Sequence, residues 1–197
     1  MLTHLQSLYH ENTKNIVKIS KKLYIVYIGN FEGLMSPNGH RPGMEIRMRK
    51  EKAMALFEEG YNCAQSVFLA FEDMHGIDKK KAAALSSSFG GGMGRLREVC
   101  GAVSGMFMTV GVLYGYDDPK AKEEKAEHYA RIQELAAAFE KENGSIVCRE
   151  LLGLSVKKEA PTPEARTPEY YKKRPCKELV GQAAEILEQY IKEHPVA

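Results

Sequence analysis

The sequence predicts an all-α protein, a compact bundle of about six or seven helices with an irregular N-terminal extension. Three observations predict it. From Met44 onward apolar residues recur at helical spacing. No stretch in that region alternates with the period of two that a half-buried strand requires. Capping residues punctuate the chain at intervals that suit helices. The 197 residues are 44% hydrophobic, enough for one real core and too apolar for a disordered polymer. The formal net charge of +2, without a long block of like charge, makes no case for nucleic acid.

Residues 1–43 read as an N-terminal extension and residues 44–197 as the helical domain. The run Leu23-Tyr24-Ile25-Val26-Tyr27-Ile28 has a strand-like composition but no partner strand. The breaker-rich Ser36-Pro37-Asn38-Gly39-His40-Arg41-Pro42-Gly43 follows it. Two readings stay open: a poorly packed extension, or a start codon set too far upstream, with Met44 and Met48 as the alternative starts. No basic n-region and apolar h-region of a secretory leader open the chain.

The first helix, over residues 45–59, carries Ala53, Leu56 and Phe57 on one stripe and stops at Gly60. The second runs from near Asn62 to Met74. The third runs from the cap Asp78 to about Ser88. A glycine loop, Gly90-Gly91-Gly92-Met93-Gly94, leads into a helix of small residues ending near Tyr114. The uncharged stretch from Val99 to Tyr116 has about the minimum length of a bilayer span, but its glycines, Ser104 and Thr109 favour a buried core helix, and no membrane span is expected. Asp118-Pro119 signals a long helix reaching Glu142, with Tyr129, Ile132, Leu135, Ala136 and Phe139 on one face, stopped by Asn143-Gly144. A short helix covers residues 145–152. Residues 155–174, with Pro161, Pro163 and Pro168, read as a linker. The last helix starts at Pro175 and bears a clean stripe, Leu179, Val180, Ala183, Ile186, Leu187, Tyr190 and Ile191.

Four cysteines carry the chemistry: Cys63, Cys100, Cys148 and Cys176. Their intervals are wide and none forms a CxxC pair, so spacing alone is a weak metal signal. Position says more. Cys63 follows the cap Asn62, Cys100 follows the glycine loop, Cys148 follows the cap Ser145, and Cys176 follows Pro175. Each falls at the first turn of a predicted helix, where unpaired N–H groups and the helix dipole favour thiolate, the nucleophilic and metal-binding form. Free cysteines also serve as small buried hydrophobes, the blander alternative. Four cysteines without a leader imply a reducing, cytoplasmic compartment.

The glycine loop fails both phosphate-binding patterns. No Gly-Lys-Ser/Thr follows it, and Arg95 stands where a dinucleotide fingerprint needs its third glycine. No nucleotide is expected. Gly90, Gly91, Gly92, Gly94, Arg95 and Gly101 are read instead as backbone and charge lying close to a cofactor, or as backbone close to another helix. Arg95 and Arg97 would offset thiolates near Cys100. Gly101 and Gly105 share one helix face and permit close helix approach, in the bundle or at a homodimer contact. The six histidines show no metal-ligand pairing; His75 is read as a loop residue and His128 as solvated.

Tyr61-Asn62-Cys63-Ala64-Gln65, Phe89-Gly90-Gly91-Gly92-Met93-Gly94, Cys100-Gly101-Ala102-Val103-Ser104-Gly105, Cys148-Arg149-Glu150-Leu151-Leu152-Gly153 and Cys176, in that order, resemble the C_GCAxxG_C_C family. The resemblance spans about Met48 to Tyr190 and matches every family cysteine. It implies a redox role, with an iron–sulfur centre suspected in related domains and an unknown, transport-linked redox partner. No CxxCH is present, so covalent haem is not expected. The reading is therefore electron transfer or thiol–disulfide chemistry at the four cysteines, through an iron–sulfur cluster or through cysteine pairs. The rival is a structural or interaction module holding cysteine-bound zinc or free buried thiols.

Overall fold

The computed structural model describes residues 42–196, with side chains from Met48 onward. The apolar run 23–28 and the other expectations for residues 1–41 lie outside the described residues. The helices are α1 (Pro42–Glu58), α2 (Cys63–Ala70), α3 (Glu72–His75), α4 (Lys79–Ser86), α5 (Gly90–Met93), α6 (Gly101–Tyr114), α7 (Lys122–Asn143), α8 (Cys148–Leu151), α9 (Pro168–Lys173) and α10 (Cys176–Glu193). Among the described residues there is no strand, only one isolated antiparallel bridge between Val99 and Val147. The all-α bundle is what the periodicity predicts. No helix among the described residues is long and apolar enough to cross a membrane.

The core lies where α1, α2, α6 and α10 meet. α2 is short and apolar almost all round, and it buries Val67, Phe68 and Leu69 completely. The stripe of α10 delivers Leu179, Val180, Ala183, Ala184 and Leu187, and α1 adds Ala53, Leu56 and Phe57. Each fully buried Phe or Leu contributes about 1.5–3 kcal/mol of transfer free energy. Two glycines let the helices close. A Cβ at Gly105 would stand 2.5 Å from the Ala64 carbonyl of α2, and one at Gly181 would stand 2.7 Å from Met54 Sδ of α1. The Gly101 and Gly105 face is thus filled by α2, which leaves it unavailable for the homodimer contact considered from the sequence. The hydroxyls of Ser104 and Thr109 are satisfied inside α6, donating to the Cys100 and Gly105 carbonyls at 3.2 and 3.0 Å.

Several boundaries differ from the sequence reading for local physical reasons. The second helix breaks at Phe71, and Gly76 closes α3 in the left-handed region at φ +66°. His75 is not a loop residue: it ends α3 buried, stacked on Phe68, with Nε2 3.1 Å from the Phe68 carbonyl. Asp118 does not start α7. Its carboxylate accepts the Lys120 N–H at 2.8 Å and so makes a turn, and the helix begins at Lys122. On α7 only Leu135 and Phe139 are buried, while Tyr129 is 54% exposed. The linker holds a helix of its own, α9, capped by the Thr167 hydroxyl, which accepts the Tyr170 N–H at 3.3 Å, with Pro168 at its first position.

Candidate functional site: a cavity lined by four cysteines

Each cysteine is set by a local device. Cys63 is the first residue of α2 behind a reciprocal capping box. The Asn62 side chain accepts the Gln65 N–H at 3.0 Å, and the Gln65 side chain accepts the Asn62 N–H at 2.9 Å. Cys176 opens α10 behind Pro175. Cys100 is the N-cap of α6, and Cys148 opens α8. These last two flank the Val99–Val147 bridge: the Cys100 N–H donates to Ile146 O at 2.8 Å and the Cys148 N–H to Glu98 O at 2.6 Å. Two cysteines far apart in sequence are thereby brought to one cavity, on either side of the bridge.

The chain between Phe89 and Cys100 turns left-handed. Gly91, Gly92 and Gly94 have φ of +64°, +67° and +63°, and Met93, Arg95 and Arg97 also lie at positive φ. For a residue with a Cβ this region is unfavourable by about 1–2 kcal/mol. The turn folds tightly against the cysteines. A Cβ on Gly92 would stand 2.7 Å from Cys148 Cβ, and one on Gly90 would stand 2.5 Å from Asn62 Cγ.

All four cysteines line one cavity of about 250 Å³. Of the residues singled out in the sequence, Gly90, Gly91, Gly94, Arg95 and Gly101 line it too. Gly92 does not; it is buried behind Cys148. The wall also includes residues that the sequence reading passed over, Tyr170, Arg166, Arg174 and Glu164, all from the stretch read as a linker. The signal that could have found them is the cluster of arginines and aromatic residues just before Cys176. Arg97 is placed differently than expected. Its Nη1 lies 3.7 Å from Cys148 Sγ, not on Cys100, and its Nη2 pairs with Glu159. Arg95 pairs with Glu159 at 3.1 Å, and Arg174 with Glu164 at 2.5 Å.

A helix start does not by itself set the acidity of these thiols: only Cys176 is lowered, and its neighbours Cys63, Arg174, Arg97 and Arg166 lower it. Cys63 donates to Cys176, and that hydrogen bond, with burial, pushes the Cys63 thiol well above the ordinary value. The same bond lowers Cys176, helped against burial by the charges of Arg174, Arg97 and Arg166. Burial pushes Cys100 up to about 12 although the Ala102 and Val103 N–H groups favour its thiolate. Burial also raises Cys148, outweighing the Arg97 hydrogen bond. Desolvation of a nearly enclosed thiol outweighs the field of one helix terminus, and at Cys176 the neighbouring Cys63 thiol together with several guanidiniums reverses it.

All four cysteines are free thiols. Among the described residues, no group of three or more His, Cys, Asp or Glu side chains is arranged to hold a metal ion.

Fold and site together define a helical protein with a thiol-lined cavity. A family model described as "Putative redox-active protein (C_GCAxxG_C_C)" matches residues 61–190, and the chain belongs to that family. No curated protein and no solved structure matches it.

Proposed function

We propose that this protein carries out thiol–disulfide exchange, with Cys176 as the attacking thiolate and Cys63 as the resolving thiol. The observation that carries the reading is that these two thiols line one cavity together with Arg97, Arg166 and Arg174, and in that setting the Cys176 thiol is lowered while the Cys63 thiol is raised. The Cys176 thiolate attacks one sulfur of a substrate disulfide, forming a mixed disulfide and releasing the first substrate thiolate, which takes a proton from solvent. Cys63 then loses its proton and attacks Cys176 Sγ. The Cys63–Cys176 disulfide forms, and the second substrate thiolate leaves with that proton. The substrate disulfide is reduced to two thiols, and the protein dithiol is oxidised to a disulfide. A dithiol reductant resets the pair, and that requirement with four free thiols supports a cytoplasmic site of action.

An iron–sulfur cluster is the second reading. The four cysteines on one cavity wall favour it. The side chains as they stand do not fit a cluster, because among the described residues no three His, Cys, Asp or Glu donors are arranged to hold a metal ion. No step is therefore routed through one.

The test is protein purified without oxygen, assayed for iron, acid-labile sulfide and zinc, with thiols counted before and after a stoichiometric disulfide oxidant. Exchange predicts metal-free protein that loses two thiols reversibly, with peptide mapping joining Cys63 to Cys176. Iron with sulfide would move the assignment to cluster chemistry. Stoichiometric zinc, or an unchanged thiol count, would move it to a structural module.

A further inference from the structure

We infer that the disulfide taken by this cavity is a small molecule carrying carboxylate groups, rather than a cationic disulfide or the disulfide of a folded protein. The inference rests on the thiol-exchange reading and names its substrate class.

Charge is the first observation. Arg95, Arg97, Arg166 and Arg174 line the cavity, whereas among the described residues Glu164 is the single carboxylate on its wall. Glu159, from outside the wall, pairs with Arg95 and Arg97. Those two carboxylates and the Cys176 thiolate leave one of the four guanidinium charges unmatched. Arg166 fits that role: its hydrogen bond goes to the neutral Phe57 carbonyl at 2.7 Å, and its guanidinium stacks on Phe57.

An unfilled donor is the second, independent observation. Arg97 is only 3% exposed and lines the cavity, yet its Nε–H has no acceptor. Its two other nitrogens are engaged by Cys148 and Glu159. A buried donor without an acceptor is unfavourable, and a planar guanidinium suits a carboxylate oxygen better than any other common group.

Size and access are the third. About 250 Å³ lies below the roughly 300–1,000 Å³ of pockets for drug-sized ligands, so the space suits a small molecule. Residues 154–167 strap one side of it. Arg95 Nε donates to Ala160 O at 2.6 Å, Glu159 N donates to Arg95 O at 3.2 Å, and Pro161 and Pro163 stand in the wall. Behind this strap Cys176 is 9% exposed, out of reach of a disulfide on a convex protein surface.

The experiment uses the full reduced chain and four oxidants: 3,3′-dithiodipropionate (dianionic), bis(2-hydroxyethyl) disulfide (neutral), cystamine (dicationic) and insulin. Each exchange rate is divided by that of the same oxidant with free 2-mercaptoethanol. The dianion should exceed the neutral compound by about tenfold and the dication by more, with the preference shrinking as salt rises. Insulin should be the slowest. Arg97→Met should narrow the ratio of dianion to neutral compound, and Arg174→Gln, at a more exposed position, should do so if the first variant fails to fold. That ratio separates recognition from any general change in Cys176 acidity, which slows all oxidants alike. Equal normalised rates for the three small disulfides, or a faster dication, overturn the charge inference and leave exchange standing. Insulin reduced as fast as the dianion overturns the small-molecule inference. No exchange with any of the four sinks the thiol-exchange reading itself.

Discussion

At the start of α10, Cys176 faces Arg174, Arg97 and Arg166 and receives a hydrogen bond from Cys63, and its thiol is made more acidic. At the start of α6, the Ala102 and Val103 N–H groups favour the Cys100 thiolate, yet burial drives this thiol up to about 12. Both sit at the first turn of a helix and line the same cavity. The difference teaches that a helix terminus offers a modest, fixed preference for thiolate, and the surrounding charges and solvent decide the outcome. Cys176 is set to ionise, and Cys63, Cys100 and Cys148 are set to stay neutral.

The sharpest way to break this comparison is competitive alkylation. Each unit of pKa is tenfold in thiolate, so Cys100, raised from 9.0 to about 12, should label more slowly than Cys176 by a factor of about a thousand or more. Mass spectrometry of an iodoacetamide time course at neutral pH checks it. Comparable labelling of the two would remove the asymmetry, and Cys176→Ser should remove the fast phase.

A smaller effect separates the closely packed face of α6 from its open end. Gly105→Ala should destabilise the protein by about 1–3 kcal/mol, because its Cβ would strike the Ala64 carbonyl. Gly111→Ala, in open space on the same helix, should stabilise it by about 0.5–1 kcal/mol. Chemical denaturation of the two variants checks both, and two changes of the same sign would contradict the packing described.

A third effect is alkaline. The Cys100 thiol is held protonated in the folded state, so its contribution is fully present below pH 9 and lost as pH rises from about 9 to about 12. By pH 10, one unit into that window, the loss is about 1 kcal/mol. Melting temperature against pH should fall over this range, and Cys100→Ala should flatten the fall. An unchanged slope would show that burial does not govern this thiol.

Much of the fold is legible in the chain because its signals are local. Asn62, Asp78, Gly144 and Pro175 each mark a helix end through a cap or a fixed dihedral that acts within a few residues. Legibility fails where a residue has two local uses. Asp118 makes a turn instead of a cap, and Thr167 with Pro168 starts a helix inside an apparent linker. The candidate site divides in the same way. Cys63, Cys100, Cys148 and Cys176 stand out by type and by position at helix starts. Tyr170, Arg166 and Arg174 do not, because a proline-rich stretch gives no sign of which surface it will cover.

By itself, the sequence determined an all-α chain, the helix starts that hold its four cysteines, and the glycines that let α6 close on α2. Those outcomes follow from backbone dihedrals, caps and apolar periodicity, which are short-range. Only the tertiary structure decided that Cys63 meets Cys176, that the Val99–Val147 bridge sets Cys100 beside Cys148, and that Arg97 reaches Cys148. It alone decided which thiol ionises, because burial and the field of distant guanidiniums depend on residues brought together across the whole chain.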